Sequence, residues 1–311
     1  MKFSYISAVS TSNRAAMAAH KMLPLSILLQ YTSILLCLSP CENVQARVTD
    51  LYQRQMAVSQ SDVLQAIYDS TGGTSWTATN NWFETGVDIC DFTNVTCTSG
   101  DIVGIVLRSC GLVGTLPTEV GSLSQLQVLE LDYNTDLTGT IPTEIGQLIS
   151  MTSFEMDETT LRGSIPSEFG LLTSLTFLDM EGVPTLTGTI PSEFGLMEAL
   201  EYLYLYNTGI RGTIPTEVGL LVNLQKLYLY GTSLTGTIPT EIGQLTSLTS
   251  LQIDQTQLRG SIPSEFGLLT DLTNLDLRTM PNLTGTIPTE LGQLTALTRL
   301  LICKCVYVSC K

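Results

Sequence analysis

The chain has 311 residues, 43% of them hydrophobic, which is enough to bury one long core. Its 29 acids against 14 bases give a net charge of −15, which repels nucleic acid and anionic lipid and excludes both as partners. The one histidine, His20, lies near the start in a targeting-like segment, so no histidine-rich metal site is expected, and no cofactor.

Residues 1–41 hold Lys2, Arg14 and Lys21 before their first acid, and the apolar run Leu23 to Ser39 follows. Val44-Gln45-Ala46 offers a small-residue cleavage site, so residues 1–46 read as a signal peptide. A signal anchor is the alternative, though the run of 17 residues contains Gln30, Tyr31, Thr32 and Ser33 and is short for a span. Cleavage removes three bases and Glu42, leaving 28 acids against 11 bases, in a secreted or cell-surface protein that touches a membrane only through an uncleaved leader. Asn94-Val95-Thr96 and Asn282-Leu283-Thr284 are then acceptors for glycosylation at Asn94 and Asn282.

Residues 47–101 read as an N-terminal cap. Ser61 to Asp69 has the apolar face of a helix (Val63, Leu64, Ile67, Tyr68), with Ser61 as its cap and Gly72-Gly73 as its stop. Trp76, Trp82, Cys90 and Cys97 follow.

From residue 102 to 302 a hydrophobic-Pro-Thr/Ser-Glu phrase returns eight times, at Pro117, Pro142, Pro166, Pro191, Pro215, Pro239, Pro263 and Pro288. The spacing is always 24 or 25 residues, the period of a solenoid of eight to nine coils. In one coil Leu224, Leu227 and Leu229 point inward from a strand, and Tyr228 and Tyr230 point outward. Leu234, Gly236 and Ile238 alternate with Thr235 and Thr237 in a second short strand on an adjoining face. Pro239 suits the first position of a short helical turn, and Glu241 lies near that turn's positive end, a structural place for the eight repeated glutamates.

This phrase resembles the plant-type extracellular leucine-rich repeat, over most of the chain. The resemblance implies an α/β repeat solenoid: a right-handed coil with a parallel β-sheet on the concave face, short helical turns on the convex side and a helical N-terminal cap. The segment Cys90-Asp-Phe-Thr-Asn-Val-Thr-Cys97 resembles that family's N-terminal cysteine cap, with Phe92 and Asn94 in place of Trp and Gly, which implies a Cys90–Cys97 disulfide. The family often carries Asn at the ninth repeat position. Here Cys110, Asn134, Thr159, Val183, Thr208, Thr232, Thr256, Met280 and Cys305 stand there, and Val183 and Met280 imply a rebuilt turn before Pro184 and Pro281. Cys110 and Cys305 read as core thiols. In the C-terminal cap, residues 303–311, a Cys303–Cys310 bond competes with a Cys305–Cys310 bond.

The outward strand positions fall into zones. Glu130, Asp132, Glu155, Asp157, Glu158, Asp179 and Glu181 occupy the early coils. Tyr202, Tyr204, Tyr206, Tyr228 and Tyr230 occupy the middle, with Tyr133 earlier, and Arg278, Arg299 and Lys304 the end. Exposed tyrosines and carboxylates point to a recognition surface for a protein, a peptide (cationic ligands suit it) or a glycan. One version, by resemblance alone, is an inhibitor of a secreted polysaccharide hydrolase. Paired carboxylates such as Glu155 and Asp157 lie on an open sheet without a histidine or nucleophile motif, so an enzyme is not expected. The remaining alternative is adhesion or ice binding through Thr-x-Thr pairs such as Thr138/Thr140 and Thr235/Thr237, although Arg162, Arg211 and Arg259 interrupt that array.

Overall fold

Each coil of this sequence offers one short run of alternating leucines, too short to bury its apolar side alone; stacking the coils solves that problem. The computed structural model describes residues 58–77 and 81–302. The leader and the cysteines at 303, 305 and 310 lie outside these residues.

The main sheet has ten strands in sequence order. The first pair, Val95–Thr98 with Asp101–Val106, is antiparallel; every later neighbour is parallel. Register runs unbroken across it: Val106, Glu130, Glu155, Asp179, Tyr204, Tyr228, Gln252 and Asp276 lie side by side in one row. The inward neighbours Leu129, Phe154, Leu178, Leu203, Leu227, Leu251 and Leu275 form a column that is 0% exposed. Each such side chain stabilises the stack by about 1.5–3 kcal/mol.

Two expected details differ, at the prolines and at the helix cap, and the short second strands pair only locally. The second strand set does not make one continuous sheet: Val113–Thr115 pairs with Asp136–Thr138, Gly163–Ser164 with Leu186–Thr187, and Arg211–Gly212 with Ser233–Leu234, followed by single bridges. A glycine at positive φ in each coil, such as Gly236 at 78°, bends the run before a longer ladder can form. The prolines are not the first helical residue but the N-cap. Pro239 has φ −66° and ψ 138°, and the 3₁₀ turn begins one residue later, at Thr240–Gln244. The helix Gln60–Ser70 is capped by Ser59, not Ser61, because Ser59 and Asp62 form a reciprocal capping box.

The cap closes the core at one end. Val63, Leu64 and Ile67 are buried, and Tyr68, Trp76, Trp82, Phe83 and Phe92 form one aromatic cluster with ring centroids 5.0–6.5 Å apart. Cys90 and Cys97 are joined in a disulfide. Asn94 adopts φ 69°, the left-handed conformation its sequence position required, and Asn tolerates it.

At the ninth position, Asn134 bridges coils: its Nδ2 donates to the Leu107 carbonyl at 2.8 Å and its Oδ1 accepts from the Leu112 amide at 3.0 Å. The threonines reach only three residues back, as Thr208 does to the Leu205 carbonyl. Val183 and Met280 sit in turns closed by backbone bonds from Leu186 and Leu283, the same closure as Leu137 to Asn134. Cys110 is a buried free thiol.

The convex turns touch through a glycine. A Cβ added at Gly219 would lie 2.5 Å from the Glu241 carbonyl oxygen of the next coil, whereas one at Gly292 meets none of the described residues within 4 Å. The chain thus carries its own control. Gly219→Ala is expected to cost about 1–3 kcal/mol by forcing two coils apart, while Gly292→Ala is neutral or slightly stabilising. Paired urea denaturation curves check this; equal effects would contradict the contact.

Candidate ligand-binding face

The outward residues of the sheet form three rows, because side chains alternate along each strand and register is held between strands. Glu130, Glu155 and Asp179 share the middle row, with Asp132, Asp157 and Glu181 two residues further along the same coils. Tyr204 and Tyr228 continue the middle row, and Tyr206 and Tyr230 lie beyond them in the same two coils. Tyr202 begins its strand beside Phe177.

The tyrosines stand half-buried on the face. Tyr204 stacks on Tyr228 with centroids 4.8 Å apart and planes 11° apart, and Tyr206 on Tyr230 at 4.3 Å and 15°. Phe177 meets Tyr204 edge-on at 5.6 Å, and Lys226 lies 5.4 Å from the Tyr202 ring centre. Six rings therefore cover three neighbouring strands. Burial, then neighbouring charge, pushes the Tyr204 and Tyr206 phenols up, so both keep their protons as donors.

The aspartates differ from expectation. Asp132, Asp157 and Asp179 are 0%, 6% and 9% exposed, so they are buried in the face rather than facing solvent. Their short side chains sit between longer ones on the crowded inner side of the sheet. Glu130, Glu155 and Glu181 are partly exposed. Tyr133 and Glu158 leave the rows: both have left-handed backbone, at φ 56° and 51°, and project from the rim.

Arg108, which the sequence reading passed over, organises the acid zone. Its Nη2 lies 2.7 Å from Asp132, 2.8 Å from Glu155 and 3.4 Å from Glu130. Those three carboxylates come within 4.8 Å of one another, close enough to grip a metal, but the guanidinium already lies among them. Extending the register one coil back from Asp132 would have found it; the same extension finds Phe177 beside Tyr202. At the far end Arg278 forks onto both Asp276 oxygens at 2.7–3.1 Å. Among the described residues no basic side chain pairs with Asp157, Asp179 or Glu181.

Burial is the main cause that raises Glu130, Asp132, Asp179 and Glu181. Asp179 is pushed up to about 8 by burial and by Glu181, Asp157 and Glu155, against a bond from the Glu181 amide. Asp132 is raised by burial and by Asp157, with Arg108 opposing.

A second surface lies on the flank. In its first slot Thr138, Thr187 and Thr235 donate to the preceding coil's carbonyls, and Arg162, Arg211 and Arg259 are exposed between them. The second slot, however, is hydroxylated in every coil: Thr115, Thr140, Ser164, Thr189, Thr213, Thr237, Ser261 and Thr286, all exposed. Threonine methyls of this row press on the next coil's glycine, where an added Cβ would stand 2.7 Å from Thr213 Cγ2.

Residues 177–308 match the family model of a leucine-rich repeat region. The fold is a leucine-rich repeat solenoid. It superposes on the Arabidopsis receptor kinase HAESA, solved with the peptide hormone IDA and the co-receptor SERK1, with a TM-score of 0.69 and 31% identity over 78% of this chain and 41% of that one. The leucine-rich repeat ectodomain of GASSHO1/SCHENGEN3 from Arabidopsis thaliana, in complex with CASPARIAN STRIP INTEGRITY FACTOR 2, gives 0.65 and 28% identity over 78% of this chain and 32% of that one. The chain thus spans 32% and 41% of the length of these two. A plant ice-binding protein gives 0.63 and 26% identity, over 78% of this chain and 85% of that one.

The raised carboxyls set a pH dependence. A buried acid whose folded pKa lies near 8, above about 3.9 unfolded, contributes stability that is complete below about pH 4 and lost as pH rises through about 8. Thermal unfolding scans are expected to show Tm falling between about pH 4 and 8, with Asp179→Asn less steep and more stable at the alkaline end. An unchanged slope in Asp179→Asn would contradict the burial argument.

Proposed function

We propose that this protein is an extracellular recognition module that binds a positively charged peptide or protein segment along its concave face. The observation that supports this most is the adjacency of the two zones: Tyr204 and Tyr206 border Asp179 and Glu181 in the preceding coil, so one extended ligand meets rings and carboxylates together. Half-exposed tyrosines offer contact area at low entropic cost. Six acids of the face, Glu130, Asp132, Glu155, Asp157, Asp179 and Glu181, have one internal base among them, Arg108, so the surface attracts cations. The peptide and protein partners of the Arabidopsis ectodomains agree with this class of ligand. Binding, rather than catalysis, is the role of the face.

The flank supports a second reading. Its unbroken hydroxyl row, most of it packed close against the next coil's glycines, is a regular surface of the kind that could order water, and one structural neighbour is an ice-binding protein.

The two readings separate on one set of proteins. Under the first, a panel of basic peptides binds wild type and loses at least about tenfold in affinity on Tyr204→Ala with Tyr228→Ala, a loss in the range for interface hot spots. Thr213→Lys with Thr237→Lys leaves that binding intact. Peptide binding indifferent to the tyrosine pair, together with ice-crystal shaping abolished by the lysine pair, would move the function to the flank.

A further inference from the structure

Bases are scarce in this chain, and the described residues hold seven of them. Four belong to the concave sheet: Arg108 and Arg278 grip acids there, Lys226 lies near the Tyr202 ring, and Arg299 begins the last strand. The other three, Arg162, Arg211 and Arg259, stand exposed on the flank. Among the described residues none of these three guanidinium groups has a hydrogen bond or an ion pair. The turn glutamates of the same coils, Glu168, Glu217 and Glu265, accept instead from the hydroxyls of Ser167, Thr216 and Ser264.

The backbone sets where the three arginines stand. Each amide donates to a glycine carbonyl of the preceding coil: Arg162 to Gly139 at 2.7 Å, Arg211 to Gly188 at 2.8 Å and Arg259 to Gly236 at 2.7 Å. They therefore occupy one repeated position, two coils apart and on the order of 10 Å from one to the next. Exposed hydroxyls accompany them, with Ser164, Thr189, Thr213 and Thr237 in consecutive coils. Around Arg259 the surface opens into a groove of about 1010 Å³, lined also by Thr213, Thr235, Gln257, Asn282 and Thr284. No aromatic or long aliphatic side chain among the described residues lines it.

Unpaired guanidinium groups in a straight line fit an anion that is extended rather than compact. The groove lacks the aromatic and apolar anchors of a protein–protein contact. Hydroxyls and amides between the charges fit a sugar chain. We propose that the flank binds a linear polyuronate, a polysaccharide whose sugar rings each bear a carboxylate. Arg162, Arg211 and Arg259 pair with carboxylates along it, since a guanidinium fork takes both oxygens of one such group. The hydroxyl row and the groove amides meet the ring hydroxyls between them. The net negative charge of the chain does not forbid this contact. At physiological salt a field is screened over about 8 Å, so the nearby guanidinium groups outweigh acids on the other faces. The inference is independent of the concave-face reading, and it gives a role to the arginines that interrupt a water-ordering surface.

The test is calorimetric binding of an oligogalacturonate long enough to span four coils, roughly 20 Å. Its fully methyl-esterified form is the neutral control. Wild type is expected to bind the acid and not the ester. Arg211→Gln with Arg259→Gln loses at least about tenfold in affinity, as expected for lost charge-assisted hydrogen bonds. Lys226→Gln with Arg299→Gln removes the same charge from the concave face and loses less than about twofold. Tyr204→Ala with Tyr228→Ala leaves the affinity unchanged. The flank arginine side chains are exposed and bond nothing described, so their replacement leaves the fold intact. No binding of the acid by wild type, equal binding of the ester, or equal losses in the two charge-matched pairs overturns the inference. Basic peptides bound at the tyrosines are unaffected by any of these results, so the flank fails without the concave face failing.

Discussion

Register between coils is the constraint on which everything else depends. It is held from two sides. Inside, a column from Leu129 to Leu275 excludes water completely. On the convex side, the turn glycines from Gly121 to Gly267 admit the next coil's glutamate carbonyl to a distance no Cβ would allow. The repeated Pro-Thr/Ser-Glu-x-Gly phrase therefore has a backbone purpose first. The prolines fix the chain before each 3₁₀ turn, and the glutamates contribute their main chain as well as their charge at the turn's amino end.

Held in register, strand neighbours cannot avoid one another. Parallel pairing puts Glu130 beside Glu155 and Glu155 beside Asp179, an arrangement that costs stability through like-charge repulsion. Arg108 offsets part of it, and burial keeps Asp132 and Asp179 protonated further into neutral pH than exposed carboxyls. The same stacking brings Tyr204 onto Tyr228 and Tyr206 onto Tyr230, where parallel rings gain contact instead of losing it. One scaffold rule thus yields a strained acidic half and a favourable aromatic half. A ligand that brings positive charge to the first and flat apolar surface to the second improves both.

Much of this was readable in the residues. The 24- and 25-residue period and the leucine alternation identify the sheet, its core and the tyrosine rows, since period-2 patterning decides which side a residue takes. Alternation does not say how deep a side chain lies. Asp157 and Tyr228 are both outward by pattern, yet one is buried and the other half-exposed, because depth depends on side-chain length and on what the neighbouring coil supplies. Arg108 lay one coil before the acidic run and was missed for that reason. Local chemistry also overrode position at Ser59, which forms the capping box two residues before the expected cap. The interrupted hydroxyl pairs drew attention to the first slot of the flank, whereas the unbroken row is the second.

The central claim is that ligands engage the inner sheet. Side-chain footprinting by hydroxyl radicals, with and without a bound basic peptide, tests it most directly. The account predicts protection of Tyr204, Tyr206, Tyr228 and Tyr230, with the flank from Thr189 to Thr237 unchanged. Protection confined to the flank or to the exposed convex leucines Leu171, Leu196 and Leu220, with the tyrosines oxidised as in the free protein, would contradict it.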